Sequence, residues 1–280
     1  MSGPLAPQLC GALLPHDGTL DDYTRSLAEE GFTLINSQVA NGALTHATAL
    51  QICRGAARLQ QWAAAMPPLH VVGEFRVPGG TAQAREFQAL HFDFGLPLQP
   101  RLPRDLAHYT VLFLSPDVGR AEAFTRLVDL RKLLAQRPWP DGDTLVRRFM
   151  AYGESHGAWD PTQGYAEGIL GRLIDAADGG DPALPSVRAT RDFLCGTEFA
   201  DADDESRFFA SQGLNLETAE TAIRLQRGQI LIFDNLQLAH GRRGRRAARE
   251  VHQLVLGYPA LGMAGQLQMR DRIISAFSAT

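Results

Sequence analysis

The strand-like runs of this chain fall into two groups with a helical stretch between them, and that spacing constrains the fold most. "LHVVGEFRV" (69–77), "FQALHFDFG" (87–95) and "HYTVLFLS" (108–115) follow one another, separated by Gly and Pro. "QILIFDN" (229–235) and "EVHQLVLGY" (250–258) come late. Between the groups, from roughly Arg126 to Ala177, "LVDLRKLLAQ", "TLVRRFMAYGES" and "GYAEGILGRLIDAA" read as helices. Regular alternation of strand and helix would build a parallel sheet, and it is missing here. Strands divided between two halves suit an α+β chain whose core is a jelly-roll-like barrel or sandwich.

Flanking signals support this division. Thr19 with Asp22 three residues on forms a capping box, opening a helix that ends near Gly31. "FTLI" is a short strand, and an alanine-rich helical pattern runs from Gly42 to Met66, where Pro67 and Pro68 stop it. "GQLQMRDRIISAF" reads as a closing helix. With 280 residues, 45% of them hydrophobic, the chain suits a single domain (1–280), its core at about 69–258 and a helical insert at about 126–180. A net charge of −4 argues against nucleic acid or an anionic membrane as partner. Cys10, Cys53 and Cys195 form neither a disulfide framework nor a zinc motif, which favours a reducing cytoplasm. No apolar run approaches the ~20 residues of a membrane span, and "MSGPLAPQLC" lacks the charged and apolar regions of a signal peptide.

"LHFDFG" places His91 and Asp93 one residue apart, so in a strand both point to one face and Phe92 and Phe94 to the other. Such a pair can share one cation or form an ordinary hydrogen bond. Seven other histidines are candidates for a third ligand. His16, His46 and His156 fall in loop or helix contexts; His70 and His108 open strands and His252 lies inside one, positions typical of core histidines. His240 ends "GQILIFDNLQLAH", a buried strand with a short extension, directly before "GRRGRR". His91, Asp93 and His240 together make two imidazoles and one carboxylate. That set occupies one face of an octahedron and leaves three positions open, as in non-haem Fe(II) oxygenases.

On these residues the chain resembles the Fe(II)/2-oxoglutarate-dependent dioxygenases, nearest the taurine dioxygenase and clavaminate synthase-like group. The resemblance spans roughly Phe75 to Tyr258, and "GQILIFDNLQLAHGR" is its most specific part. It implies a double-stranded β-helix with Fe(II) on His91, Asp93 and His240, 2-oxoglutarate as co-substrate, and O2. It further implies that Thr125 and an arginine after the distal histidine anchor the co-substrate's far carboxylate. A guanidinium fork suits a carboxylate because it makes two parallel charge-assisted hydrogen bonds. Arg249 is the choice, with Arg245 or Arg246 as substitutes; a second family arginine four residues on is replaced here by Gln253. The carboxylate at Asp93 disfavours halogenation, which in related enzymes needs a small residue there. By analogy the reaction is hydroxylation of a small polar substrate, an amino acid or a derivative, in a specialised biosynthetic pathway. Desaturation or cyclisation on the same scaffold stays open, as does a non-catalytic cupin-like binding protein.

Other features have bland and functional readings. "RRGRRAAR" lacks the interleaved aromatics of a nucleic-acid patch and reads as a charged hairpin tip. The acidic stretch from Glu198 to Arg207 is either a solvated loop or a lid that recognises a cationic substrate group. Glu74 and Arg76, in the strand before the His-x-Asp element, are candidate substrate contacts.

Overall fold

The computed structural model describes residues 18–36, 42–60, 67–76, 87–91, 108–129, 132–133, 136, 199, 201–211, 213–235, 237–245 and 250–261. Helix α1 spans Leu20–Glu30. Thr19 caps it: its Oγ1 accepts from the Asp22 amide, Asp22 returns the bond to the Thr19 amide, and Gly31 closes the helix at a positive φ of 78°. That left-handed turn costs glycine little and any side chain a good deal. Strand β1 (Phe32–Asn36) follows, then α2 (Gly42–Leu59), which ends seven residues before the expected Met66. Next come β2 (His70–Arg76), β3 (Phe87–His91), β4 (Tyr109–Leu114) and β5 (Phe124–Asp129). Helices α3 (Ala202–Ser211) and α4 (Leu216–Ala219) lead into β6 (Glu220–Ile223), β7 (Gln229–Asp234), β8 (Leu238–Arg243) and β9 (Val251–Gly257).

Two of these strands correct the reading of the sequence. Residues 126–129, expected to begin the helical insert, belong to β5, so Thr125 lies within a strand. His240 does not extend the strand of "QILIFD". It sits inside β8, a separate strand in the other sheet. Most of the remaining insert and the closing helix lie outside the described residues.

All the pairings are antiparallel. Sheet one has the order β1-β7-β4-β9-β2 and sheet two the order β3-β8-β5-β6. From β2 to β5 and again from β6 to β9, successive strands alternate between the sheets, so each connection crosses from one layer to the other.

The register assigns the faces. In sheet one, Leu112, Leu231, Phe233 and Val251 share a face and pack with Leu127, Ile223 and Leu238 of sheet two, forming the interior between the layers. The other face of sheet one carries Val111, Ile230, Ile232, Leu254 and Leu256, buried against Leu27, Ile52, Cys53 and Ala56 of α1 and α2. On the outer face of sheet two, Leu90, Val128 and Ala239 meet Phe199, Phe208, Phe209 and Leu216. Alternating apolar positions on β4 and β7 thus serve two different cores, which explains why these strands read as continuous apolar runs. Among the described residues no helix is long and apolar enough to cross a membrane.

Candidate metal centre

The turn after β7 delivers His240 from one sheet to the other. Asn235 anchors it: its amide donates to His108 O (2.8 Å) and its Nδ2 donates to Thr110 Oγ1 (2.6 Å). Asp234 Oδ1 accepts from the Gln237 amide at 3.3 Å, closing the turn. Asp234 and Asn235 are both fully buried, so "FDN" is a fixed crossover ahead of β8.

Within β8, His240 pairs with His91 of β3 on one side and Leu127 of β5 on the other. Both imidazoles therefore point into the interior between the sheets. Their ring centroids are 4.3 Å apart with the planes tilted by 50°, and Phe233 of sheet one covers His240 with centroids at 4.8 Å. Two imidazoles on neighbouring octahedral corners, each about 2.1 Å from one ion, place their centroids roughly 4.5 Å apart. The observed spacing fits a shared metal.

The tautomer of His91 fits as well. Its Nδ1 lies 2.9 Å from the Ala89 carbonyl oxygen, which can only accept, so Nδ1 carries the proton. Nε2 is then the nitrogen with the lone pair, and the Gln88 amide nitrogen lies 3.3 Å from it. A backbone carbonyl that fixes the tautomer and the ring orientation is the usual outer support of a metal-bound histidine.

The remaining expected residues divide in two. Thr125 is buried on β5, and its register partner in β8 is Arg242. Because 240 and 242 share a face, Thr125, Arg242 and His240 all lie on the interior side. Burial pulls the Arg242 guanidinium below its ordinary pKa, and its Nη1 donates to Gly244 O at 3.3 Å. Gln253 occupies the interior face of β9, opposite Leu112. Arg245 is exposed, whereas Asp93, Arg246 and Arg249 lie outside the described residues. No cluster of three or more metal-ligating side chains occurs among the described residues, the third expected ligand being Asp93.

Two candidate substrate contacts are displaced. Glu74 and Arg76 pair with Leu254 and His252, which puts them on the helix-facing side of sheet one, away from the histidine pair. Glu74 Oε2 is instead 3.5 Å from His46 Nε2 on α2. At Glu205 the acidic stretch is neither a solvated loop nor a lid open to a cationic substrate group: this residue lies on α3, fully buried, 2.7 Å from Arg126 Nη1.

No family model matches the chain, and no curated protein matches it. Solved structures similar to it include oxygenases, several of them solved with iron. PvcB of Pseudomonas aeruginosa, an Fe, alpha-ketoglutarate dependent oxygenase from an isonitrile synthetic pathway, is 15% identical over 86% of this chain and 80% of its own, with a TM-score of 0.41. Asparagine oxygenase, solved with Fe(II), 2S,3S-3-hydroxyasparagine and succinate, is 12% identical over 84% and 77%, with a TM-score of 0.39. The non-heme iron oxygenase OrfP, solved with Fe, succinate and (3R,4R)-dihydroxy-L-Arg, is 14% identical over 84% and 78%, with a TM-score of 0.36.

Sequence reasoning missed Arg242 and the Arg126–Glu205 pair. The signal for Arg242 was present, since alternation from His240 puts the first arginine of "HGRR" on the histidine's face. Nothing local marks Arg126 or Glu205, which are 79 positions apart in the chain.

Proposed function

We propose that this chain is a non-haem Fe(II)- and 2-oxoglutarate-dependent dioxygenase that hydroxylates a small polar substrate, an amino acid or a derivative. The two crossing sheets are read as its double-stranded β-helix core, within one domain over 1–280. His91 and His240 provide two ligands and Asp93, two residues beyond His91, the third. The observation that carries the proposal is the pair of inward imidazoles on β3 and β8, with the His91 tautomer set by Ala89. Bound there, Fe(II) with 2-oxoglutarate and O2 supplies the oxidation of an unactivated C–H.

The chain's own residues do the rest. The Ala89 carbonyl holds the His91 proton on Nδ1 and keeps Nε2 basic. Phe233, Leu112 and Leu231 make the wall of the interior apolar, which excludes water from the reacting atoms. The co-substrate's far carboxylate is assigned to Thr125 and Arg249. Arg242, facing Thr125 across β5 and β8, is the competing guanidinium.

The test is aerobic turnover of 2-oxoglutarate to succinate with added Fe(II), run against a panel of free amino acids and their derivatives. Succinate release stimulated by one member, with that member gaining a hydroxyl, supports the reading. Asp93→Gly is expected to lose this turnover; full native hydroxylation by that variant shows that Asp93 is not a ligand.

A further inference from the structure

The pairing of β3 with β8 slips between Gln88 and His91: Gln88 stands opposite Arg242, but His91 stands opposite His240. Three steps along β3 thus match two along β8, which is a bulge. In an unbroken ladder Leu90 would face His240, and His91 would point to the outer side with Phe87. The bulge exchanges them. Leu90 is buried in the outer cluster with Phe208 and Phe209, and His91 turns inward to His240.

A bulge leaves a backbone group outside the ladder, and here α3 meets it. Glu205 Oε1 accepts from the Leu90 amide at 2.7 Å. Its Oε2 is 2.7 Å from Arg126 Nη1, and neither side chain is exposed. Arg126 is fixed in turn, donating from Nε (2.9 Å) and Nη2 (2.7 Å) to Glu220 Oε2 on β6. Phe87 lies under the guanidinium, its centroid 5.7 Å from Cζ. One carboxylate from α3 therefore ties the bulge in β3 to β5, the strand on the far side of β8.

We propose that Glu205 is a positioning residue: by holding the Leu90 amide it stabilises the bulge that turns His91 toward His240, with Arg126 and Glu220 holding Glu205. The inference rests on the metal-site reading for its consequence, while the bulge itself is independent of any metal. Loss of Glu205 alone leaves Arg126 Nη1 buried without its partner, Glu220 still holding Nε and Nη2, so the informative variant removes both side chains. Glu205→Leu with Arg126→Met keeps the apolar volume and deletes the acceptor. Glu205→Gln keeps an acceptor oxygen for Leu90 and deletes the charge.

Co(II) is the probe, read by its visible absorption and by titration calorimetry, alongside amide hydrogen exchange at Leu90. The Leu/Met double variant is expected to bind Co(II) at least tenfold more weakly, with an altered spectrum and faster Leu90 exchange. Glu205→Gln is expected within about threefold of wild type with an unchanged spectrum. Wild-type affinity, spectrum and exchange in the folded double variant overturn the proposal, as does equal weakening in both variants. If the double variant fails to fold, Glu205→Gln decides alone: a tenfold loss of affinity with fast Leu90 exchange overturns it, and retention supports it. His240→Ala run in the same titration separates the two readings. Undiminished Co(II) binding there sinks the metal site, and Leu90 exchange still decides the bulge.

Discussion

Gly241→Ala tests how closely β3 must approach β8. Gly241 follows His240, and a Cβ placed on it would lie 2.7 Å from Gln88 O and 3.1 Å from Ala89 O. Both are backbone atoms of the bulge, so no flexible side chain can swing aside. Restoring an ordinary contact of 3.4 Å moves the Gln88 carbonyl by about 0.7 Å. Overpacking of this kind costs about 1–3 kcal/mol. For a chain of this size that lowers Tm by roughly 2–10 °C. The displacement also exceeds the ~0.5 Å within which a ligand constellation keeps its function. Co(II) affinity is therefore expected to fall by about an order of magnitude, roughly 1.4 kcal/mol. Thermal unfolding and calorimetric titration measure the two effects, and Gly119→Ala is the control, since nothing among the described residues lies within 4 Å of its Cβ position. A Gly241→Ala protein with Tm within a degree and Co(II) affinity within twofold of wild type refutes the close-approach argument.

Two further outcomes are expected. Arg249→Ala should raise the 2-oxoglutarate KM by about two orders of magnitude, because truncation leaves a desolvated carboxylate unpaired, while metal affinity changes little. Arg249→Lys recovers only part, an ammonium having no planar fork. Arg242→Ala, Arg245→Ala and Arg246→Ala enter the same assay, and a neutral Arg249→Ala beside a crippled Arg242→Ala moves the anchor onto β8. His252, stacked on Phe113 at 5.1 Å, has its pKa lowered by burial and then by nearby Arg76. The unfolded chain thus binds the proton more readily, so this residue's contribution to stability is present above the ordinary histidine pKa of about 6.5 and is lost as pH falls through the lower folded value. Denaturant unfolding at pH 5 and pH 7 should show a smaller difference for His252→Gln than for wild type; an unchanged difference rejects the assignment.

How much was legible depended on the range of the forces involved. Thr19, Asp22 and Gly31 act within one helical turn, and the sequence announced both ends of α1. The pairing of His91 with His240 was also foreseeable, since the resemblance rests on those residues. Strand β5 was hidden because "FTRLVDLRKLLAQ" spaces its apolar residues as a helix does, and only pairing with β6 and β8 makes Phe124–Asp129 extended. Asn235 and Gln237 break an apolar run that otherwise reads as one strand ending at His240. Counting by twos from the start of β3 puts His91 on the wrong face. Relative to Phe87 and Gln88 the count fails, because one extra residue in β3 reverses the faces and composition carries no mark of it. Glu205 looked like part of a solvated acidic run, and its burial depends on Arg126 in a strand brought beside it by the fold.

The central claim is that His91, Asp93 and His240 hold one metal on which 2-oxoglutarate binds. Calorimetric titration under anaerobic conditions addresses it most directly, first with Fe(II) or Co(II) and then with 2-oxoglutarate, for wild type and the His91→Ala, Asp93→Ala and His240→Ala variants. One metal per wild-type chain is expected, with 2-oxoglutarate binding only to the metal-loaded protein and loss of both events in each variant that still folds. Wild-type metal and 2-oxoglutarate binding by folded His240→Ala contradicts the claim.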